Sequence, residues 1–119
     1  MGIPGTVFFN NMAITQVNNK HFASGIKTYE NAIHLLVDKT RLYLLQYNLG
    51  LAYRKNKQLE DALKILTKSY LSEPTYEKAY VAIARVYKEM KKLGLTPDSS
   101  LIRQVKDARQ QQSGEKKTA

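Results

Sequence analysis

The sequence predicts an all-α fold, an antiparallel array of helices, and three observations support this class. Apolar residues recur at intervals of three and four from Leu42 to Tyr53, and again from Leu59 to Tyr70, which is the period of a helix with one buried face. Short polar or Gly/Pro-containing breaks divide the chain into segments of similar length. No stretch alternates apolar and polar residues with period two, so the sequence offers no evident strand.

The breaks define the predicted helices in order. They lie at residues 18–20, 38–40, 55–57, 72–75 and 93–98, where helix formers give way to asparagine, glycine, proline and charged residues. We expect six helices, near residues 7–18, 21–37, 40–55, 58–71, 75–92 and 98–111. In the last helix, Asp98 or Ser99 can cap the first turn. Its apolar stripe consists of Leu101, Ile102, Val105 and Ala108.

Length and composition indicate one small globular domain. The chain has 119 residues, of which 43% are hydrophobic and 24% charged. We expect a flexible N-terminus at 1–6, a single domain at 7–112 and a flexible basic tail at 113–119. Cysteine is absent, which excludes disulfides, thiolate metal sites and cysteine nucleophiles. No apolar run is long enough to span a bilayer, so we expect a cytoplasmic protein with no membrane partner.

The chain is strongly basic, with 19 Lys and Arg against 10 Asp and Glu and a formal net charge of +9. The excess grows towards the C-terminal half. Such a balance favours acidic protein partners and would also suit the phosphates of RNA or DNA. A lysine-rich surface that serves solubility alone is the alternative interpretation.

The sequence lacks the residue patterns of common catalytic and metal sites. His21 and His34 are the only histidines, and their spacing supplies no metal-ligand set. No Gly-rich phosphate loop, nucleophile elbow or paired helical carboxylates occur. We therefore expect no enzyme activity, no metal and no cofactor.

Comparison of the chain with itself reveals a repeat. A shift of 34 residues superposes three pairs: Leu49 on Ile83, Gly50 on Ala84 and Tyr53 on Tyr87. A shift of 37 residues superposes an earlier segment in the same way, placing Gly25 on Ala62 and Tyr29 on Leu66. The repeating unit therefore comprises two helices, with about three extra residues near Asp38.

The middle unit resembles the tetratricopeptide repeat. The family pattern is matched at seven positions, namely Leu49, Gly50, Tyr53, Ala62, Leu66, Ser69 and Pro74, whereas Gln46 stands at the usual aromatic position. The first unit keeps Phe9, Met12, Ala13, Gly25, Tyr29 and Ala32, with Gln16 in place of a tyrosine. The third keeps Tyr80, Ile83, Ala84 and Tyr87 until its spacing breaks after Lys92.

The resemblance implies a right-handed superhelix in which small residues let paired helices approach closely. We expect repeats at about 7–39 and 40–75, a partial repeat at 76–97 and a capping helix at 98–112. Self-association through an exposed end of the array is a further expectation. Tyr29, Tyr53, Tyr80 and Tyr87 should be mostly buried. Tyr43, Tyr47, Tyr70 and Tyr76 remain as candidate exposed rings.

A narrower resemblance concerns bacterial signalling proteins. The segments 9–14, 25–32 and 47–54 are similar to the tetratricopeptide segments attached to receiver domains in some bacterial response regulators. This resemblance implies a role in signal transduction, with the chain as a fragment of a larger protein.

The family resemblance also implies a binding surface. In this family the first helix of each repeat lines a concave groove that binds partner peptides, so we expect a scaffold for protein binding, with the convex face or a helix-pair edge as the alternative surface. The positions that map to the groove include Val7, Val17, Asn18, Leu44, Ala82 and Glu89. The candidate binding residues are Asn10, Asn11, Ile14, Tyr47, Asn48, Leu51, Arg54, Lys55, Lys78, Val81, Arg85 and Lys88.

Some family members bind the carboxyl terminus of chaperones through a five-residue clamp. Asn48 and Lys78 match that clamp, but Asn10, Ile14 and Ala82 stand where it needs lysine, asparagine and arginine. We therefore do not expect a chaperone cofactor. The alternative function, from another class, is a basic helical module that binds RNA or DNA phosphates.

Overall fold

A computed structural model describes the backbone of residues 4–118 and the side chains of residues 7–114. Six α-helices make up this part of the chain: α1 (Pro4–Asn18), α2 (Phe22–Leu35), α3 (Leu42–Lys55), α4 (Leu59–Ser72), α5 (Glu77–Lys92) and α6 (Ser99–Thr118). A short 3-10 turn at Lys39–Arg41 precedes α3, and no strand occurs within the described residues. The all-α prediction is confirmed.

The ends of the array differ from the predicted boundaries. Helix α1 begins at Pro4, three residues before the predicted start, and α6 continues to Thr118 rather than ending near residue 111. Flexibility of the segments 1–6 and 113–119 stays a prediction, and residues 1–3 and 119 lie outside the described residues.

Consecutive helices pack as antiparallel hairpins. Helix α1 packs against α2 and α3 against α4, and these hairpins are joined by contacts of α2 with α3 and of α4 with α5. Helix α6 packs against α4, and its first turn is capped as expected, because the Ser100 backbone N–H donates to the Asp98 carboxylate (2.9 Å).

Two apolar clusters form the core. One lies among α1, α2 and α3, where Ala13, Tyr29, Ala32 and Leu49 are almost fully buried. The other lies among α4, α5 and α6, and the predicted stripe on α6 packs into it, with Val105 only 5% exposed. Tyr53 packs against both clusters, and the close contact of α3 with α4 joins the two halves of the core.

The small residues of the repeat pattern sit where helices approach most closely. A Cβ added to Gly50 would lie 2.5 Å from two atoms of the buried Leu66 side chain, and one added to Gly25 would lie 2.5 Å from Val17 Cγ2. Ala62 and Ser69 are fully buried, and the Ser69 hydroxyl donates to the Tyr43 carbonyl (2.8 Å). The close helix pairing implied by the resemblance is therefore present in both hairpins.

Two glutamines occupy positions that are aromatic in the family. Gln46 is buried, and its Oε1 has no hydrogen-bond partner within the described residues. Gln16 accepts a hydrogen bond from the Thr28 hydroxyl (2.7 Å) across the α1–α2 interface. A polar contact thus replaces ring packing in the first hairpin.

Helices α1, α3 and α5 end in the same backbone turn. Lys20, Lys57 and Gly94 have φ of 66°, 65° and 78°. In each case the following backbone N–H donates to a carbonyl five residues back: His21 to Gln16, Gln58 to Tyr53 and Leu95 to Met90. This is the Schellman motif, whose left-handed residue favours glycine.

The tyrosine predictions need two corrections. Tyr70, predicted as an exposed ring, is fully buried, and its hydroxyl donates to Gln112 Oε1 on α6 (3.3 Å). Tyr87, predicted to be mostly buried, is 36% exposed. Both differences follow from the position of α6, which covers α4 and leaves Tyr87 on α5 accessible. The other two predicted exposed rings on α3, Tyr43 and Tyr47, are half-buried.

Candidate functional site

Most of the predicted groove positions lie at or near the surface of α1, α3 and α5, and we call the surface of these three helices the groove face. Asn48 Nδ2 on α3 donates to Asn10 Oδ1 on α1 (3.3 Å). Arg54 Nε on α3 lies 3.1 Å from Glu89 Oε2 on α5. Side chains from these positions therefore connect α1 to α3 and α3 to α5, while a binding role for them stays a prediction.

The candidate residues divide by exposure. Ile14 and Val81 are apolar yet 38% and 47% exposed. Asn10, Tyr47, Asn48, Leu51 and Arg54 are half-buried, whereas Asn11, Lys55, Lys78, Arg85 and Lys88 are exposed. Two mapped positions do not reach the surface, because Val17 packs beside Gly25 in the α1–α2 interface and Ala82 lies in the second cluster.

Half-buried aromatic rings occupy one end of the face. The Tyr76 ring stands edge-on to Tyr43 and Tyr47, with centroid distances of 5.1 and 5.2 Å, an arrangement that the ring quadrupoles favour. Burial, and then the neighbouring Tyr47 and Tyr43, raise the pKa of Tyr76. The sequence predicted Tyr43 and Tyr76 as exposed rings. Their contact could not be predicted from it, because this contact depends on where α5 begins beside α3.

Glu89 organises the opposite end. Its carboxylate lies 3.1 Å from Arg54 Nε and 3.9 Å from Lys57 Nζ. The charge of Arg54, one of the predicted groove residues, is therefore already balanced within the chain. Lys55, Lys78, Arg85 and Lys88 make no ion pair within the described residues, so the cationic character of the groove face comes from these four.

No metal centre emerges from the described residues. His21 and His34 are both exposed, and no group of three or more His, Asp or Glu side chains in residues 7–114 is arranged to hold a metal ion. Among the described helices, none combines the length and apolar character needed to cross a bilayer.

Comparisons with known proteins bear on the middle of the chain. No curated protein and no solved structure matches the sequence significantly, so the resemblance to response regulators stays a prediction. A family model described as tetratricopeptide repeat matches residues 43–76. That span covers α3, α4 and the turn into α5, and nearly coincides with the predicted second repeat at 40–75. Residues 43–76 therefore constitute a tetratricopeptide repeat.

Proposed function

We propose that this domain is a non-catalytic protein–protein interaction module that binds a partner peptide or domain on the groove face. The observation that carries the proposal is the continuity of this face across α1, α3 and α5, with Asn48 hydrogen-bonded to Asn10 at its centre. Stacked helical repeats present such extended surfaces to their partners, and residues 43–76 match the family of repeats that does so.

The chemistry of the face favours an acidic partner with an apolar side chain. Asn48 can offer both amide groups to an extended peptide backbone. Tyr47 and Val81 provide ring and aliphatic surface for an apolar residue. Lys78, Arg85 and Lys88, which are exposed on α5, can pair with carboxylates, and Arg85 can do so with two parallel hydrogen bonds.

The similarity of three segments to response-regulator proteins suggests a setting for this module. In that setting the chain would serve as a cytoplasmic scaffold in bacterial signal transduction, and its partner would be another signalling protein. Identification of captured proteins by mass spectrometry tests this part of the proposal separately from the binding surface.

The binding surface can be tested with matched variants. After a partner has been captured from native extract and identified, its affinity is measured for Arg85→Ala and Val81→Ser. Each should weaken binding about 5- to 100-fold, the usual range for a central interface residue. Arg103→Ala and Leu71→Ser remove equally exposed side chains from α6 and α4, and should change the affinity less than about twofold. Equal losses in both pairs would contradict the proposed surface.

Salt dependence separates this function from nucleic-acid binding. Phosphate recognition releases counterions, so affinity for RNA or DNA falls steeply as salt rises. A partner held by Tyr47 and Val81 as well as by charge should keep much of its affinity. Recovery of nucleic acid, lost between low and moderate salt, would favour the phosphate-binding alternative.

A further inference from the structure

The turn between α5 and α6 exposes two large apolar side chains. Leu93 is 63% exposed and Leu95 is 41% exposed, and a single residue separates them in the sequence. Gly94 between them adopts the left-handed φ of 78°. Isolated exposed leucines are common on proteins, but two in one turn form a small apolar patch.

This turn extends further than its counterpart in the preceding repeat. A 34-residue shift aligns α3 with α5, and would place the equivalent of the left-handed residue Lys57 at position 91. In the structure it is Gly94, because α5 ends at Lys92, three residues beyond position 89, which is the equivalent of Lys55 at the end of α3. Three additional residues lengthen a helix by about 4.5 Å. The Leu93–Leu95 segment is thus carried about one helical turn beyond the end of α3.

Lysines surround the two exposed leucines. Lys88, Lys91 and Lys92 are exposed on the last turns of α5, and Lys91 Nζ lies 6.0 Å from the centre of the Tyr87 ring. Lys57, whose side chain is 78% exposed, lines a shallow concavity together with Leu95. The two neighbouring turns therefore form one basic surface around the leucines.

The nearby carboxylates do not cancel this charge. Glu89 is paired with Arg54 and Lys57. Glu60 and Asp61 line the same concavity as Leu95, and Asp61 accepts a hydrogen bond from Gln58 (3.0 Å). Lys88, Lys91 and Lys92 make no ion pair within the described residues, and they outnumber the carboxylates of Glu60 and Asp61.

We propose that residues 91–95 dock onto the surface of an anionic phospholipid bilayer. Leu93 and Leu95 would enter the boundary between headgroups and acyl chains, where apolar side chains gain from leaving water. The surrounding lysines would lay their aliphatic stems along that boundary and keep their ammonium groups at the phosphates. The contact is with the bilayer surface, so it needs no spanning helix.

Two physical arguments favour a bilayer over other anionic partners. A specific protein interface needs on the order of 800 Å² per partner, far more than a five-residue turn presents, whereas a bilayer accepts a protruding side chain without a preformed pocket. Nucleic acid would attract the lysines, but it offers the two leucines no apolar environment. The proposal shares Lys88 with the groove face, which carries the proposed protein-binding function, but Leu93, Leu95, Lys91 and Lys92 are not among the predicted groove positions.

A sedimentation experiment with lipid vesicles tests the proposal. The whole chain should co-sediment with phosphatidylcholine vesicles that contain phosphatidylserine, and at least tenfold less with phosphatidylcholine alone. Leu93→Ser combined with Leu95→Ser should reduce binding at least fivefold, with unchanged circular dichroism. The control pair, Leu35→Ser with Leu71→Ser, removes similarly exposed apolar groups elsewhere and should bind normally. Failure to bind anionic vesicles, or equal losses in the two double variants, would overturn the proposal.

Two further experiments test whether vesicle binding depends on the lysine charges and whether Leu93 enters the bilayer. Lys91→Glu with Lys92→Glu should abolish vesicle binding, while Lys64→Glu with Lys68→Glu, exposed on α4, should weaken it much less. The chain has no tryptophan, so Leu93→Trp introduces a single fluorophore whose emission should shift to the blue on anionic vesicles. Val81→Trp should show no shift. A Leu93→Trp emission that stays at the water-exposed wavelength would show purely electrostatic adsorption and contradict insertion.

Discussion

At the scale of single residues, the left-handed backbone conformation at the end of α3 leads to a prediction about the stability of the protein. Lys57 holds a φ of 65° at the end of α3, which costs an L-residue with a side chain about 1–2 kcal/mol, while Gly94 meets the same requirement without that cost. Lys57→Gly should therefore stabilise the protein by about 0.5–1 kcal/mol, measured by urea unfolding. The ion pair lost with Glu89 spans 3.9 Å from an exposed lysine and adds little.

The control is Lys55→Gly, two residues earlier, within the last turn of α3. There glycine has no conformational advantage, so the change should destabilise the protein by about 1 kcal/mol. A loss of stability in both variants would contradict the assigned turn.

A second residue-scale prediction concerns the contact between α3 and α4. An added Cβ at Gly50 would lie 2.5 Å from Leu66 Cγ and Cδ2 and 3.2 Å from Ile65 Cγ2, and Leu66 is fully buried. Gly50→Ala should cost about 1–3 kcal/mol through overpacking, and Gly50→Leu more. Gly114→Ala, where an added Cβ meets nothing within 4 Å, should be neutral or stabilising. An unchanged melting temperature for Gly50→Leu would refute the repeat register.

At the scale of elements, α6 is held by apolar and polar contacts together. Val105 is buried in the second cluster. Arg109 Cζ lies 3.9 Å from the centre of the Tyr80 ring, and Arg109 Nη1 lies 2.8 Å from Glu77 Oε1. Stacked repeats need a terminal element with one polar side to cover their last apolar face, and the capping role predicted for α6 would meet that need for α4 and α5.

Docking of α6 can be tested by two variants of equal charge change. Val105→Asp places a carboxylate in the apolar cluster and should destabilise the protein by at least about 2 kcal/mol and promote aggregation. Gln104→Asp adds the same charge at an exposed position and should have little effect. Indistinguishable unfolding curves for the two variants would mean that α6 does not cap the array in solution.

At the scale of the whole molecule, the two clusters meet at α3 and α4, and alkaline pH should weaken this assembly. Burial raises the pKa of Tyr29 to about 12, and the pKa of Tyr53 is raised by burial and then by Glu30 and Asp61. Both phenols thus hold their protons more tightly when folded than at the unfolded value near 10. Their contribution to stability is complete below pH 10 and is lost as pH rises towards 12.

The free energy of unfolding should therefore fall between pH 10 and 12, by up to about 3 kcal/mol for Tyr29 alone. Tyr29→Phe, which cannot ionise, should flatten part of that slope. A slope unaffected by Tyr29→Phe would show that this ring ionises as readily in the folded protein as in the unfolded chain.

The sequence by itself determined the helices and the middle repeat. Apolar spacing, breakers and the small residues at Gly25, Gly50 and Ala62 act locally or between adjacent helices, so pattern alone places them. The stripe on α6 was predictable for the same reason. The groove residues on α3 followed from the register of the repeat, since position along a helix sets the face on which a side chain lies.

Tertiary structure alone decided which groups meet between distant segments. The burial of Tyr70, the exposure of Tyr87 and the pairing of Arg54 with Glu89 all depend on where α5 and α6 lie relative to α3 and α4. The extra turn that carries Leu93 and Leu95 outward depends on where α5 ends. Helix periodicity fixes the direction of a side chain about its own axis, but the distance and angle between helices come from the packing of the whole array.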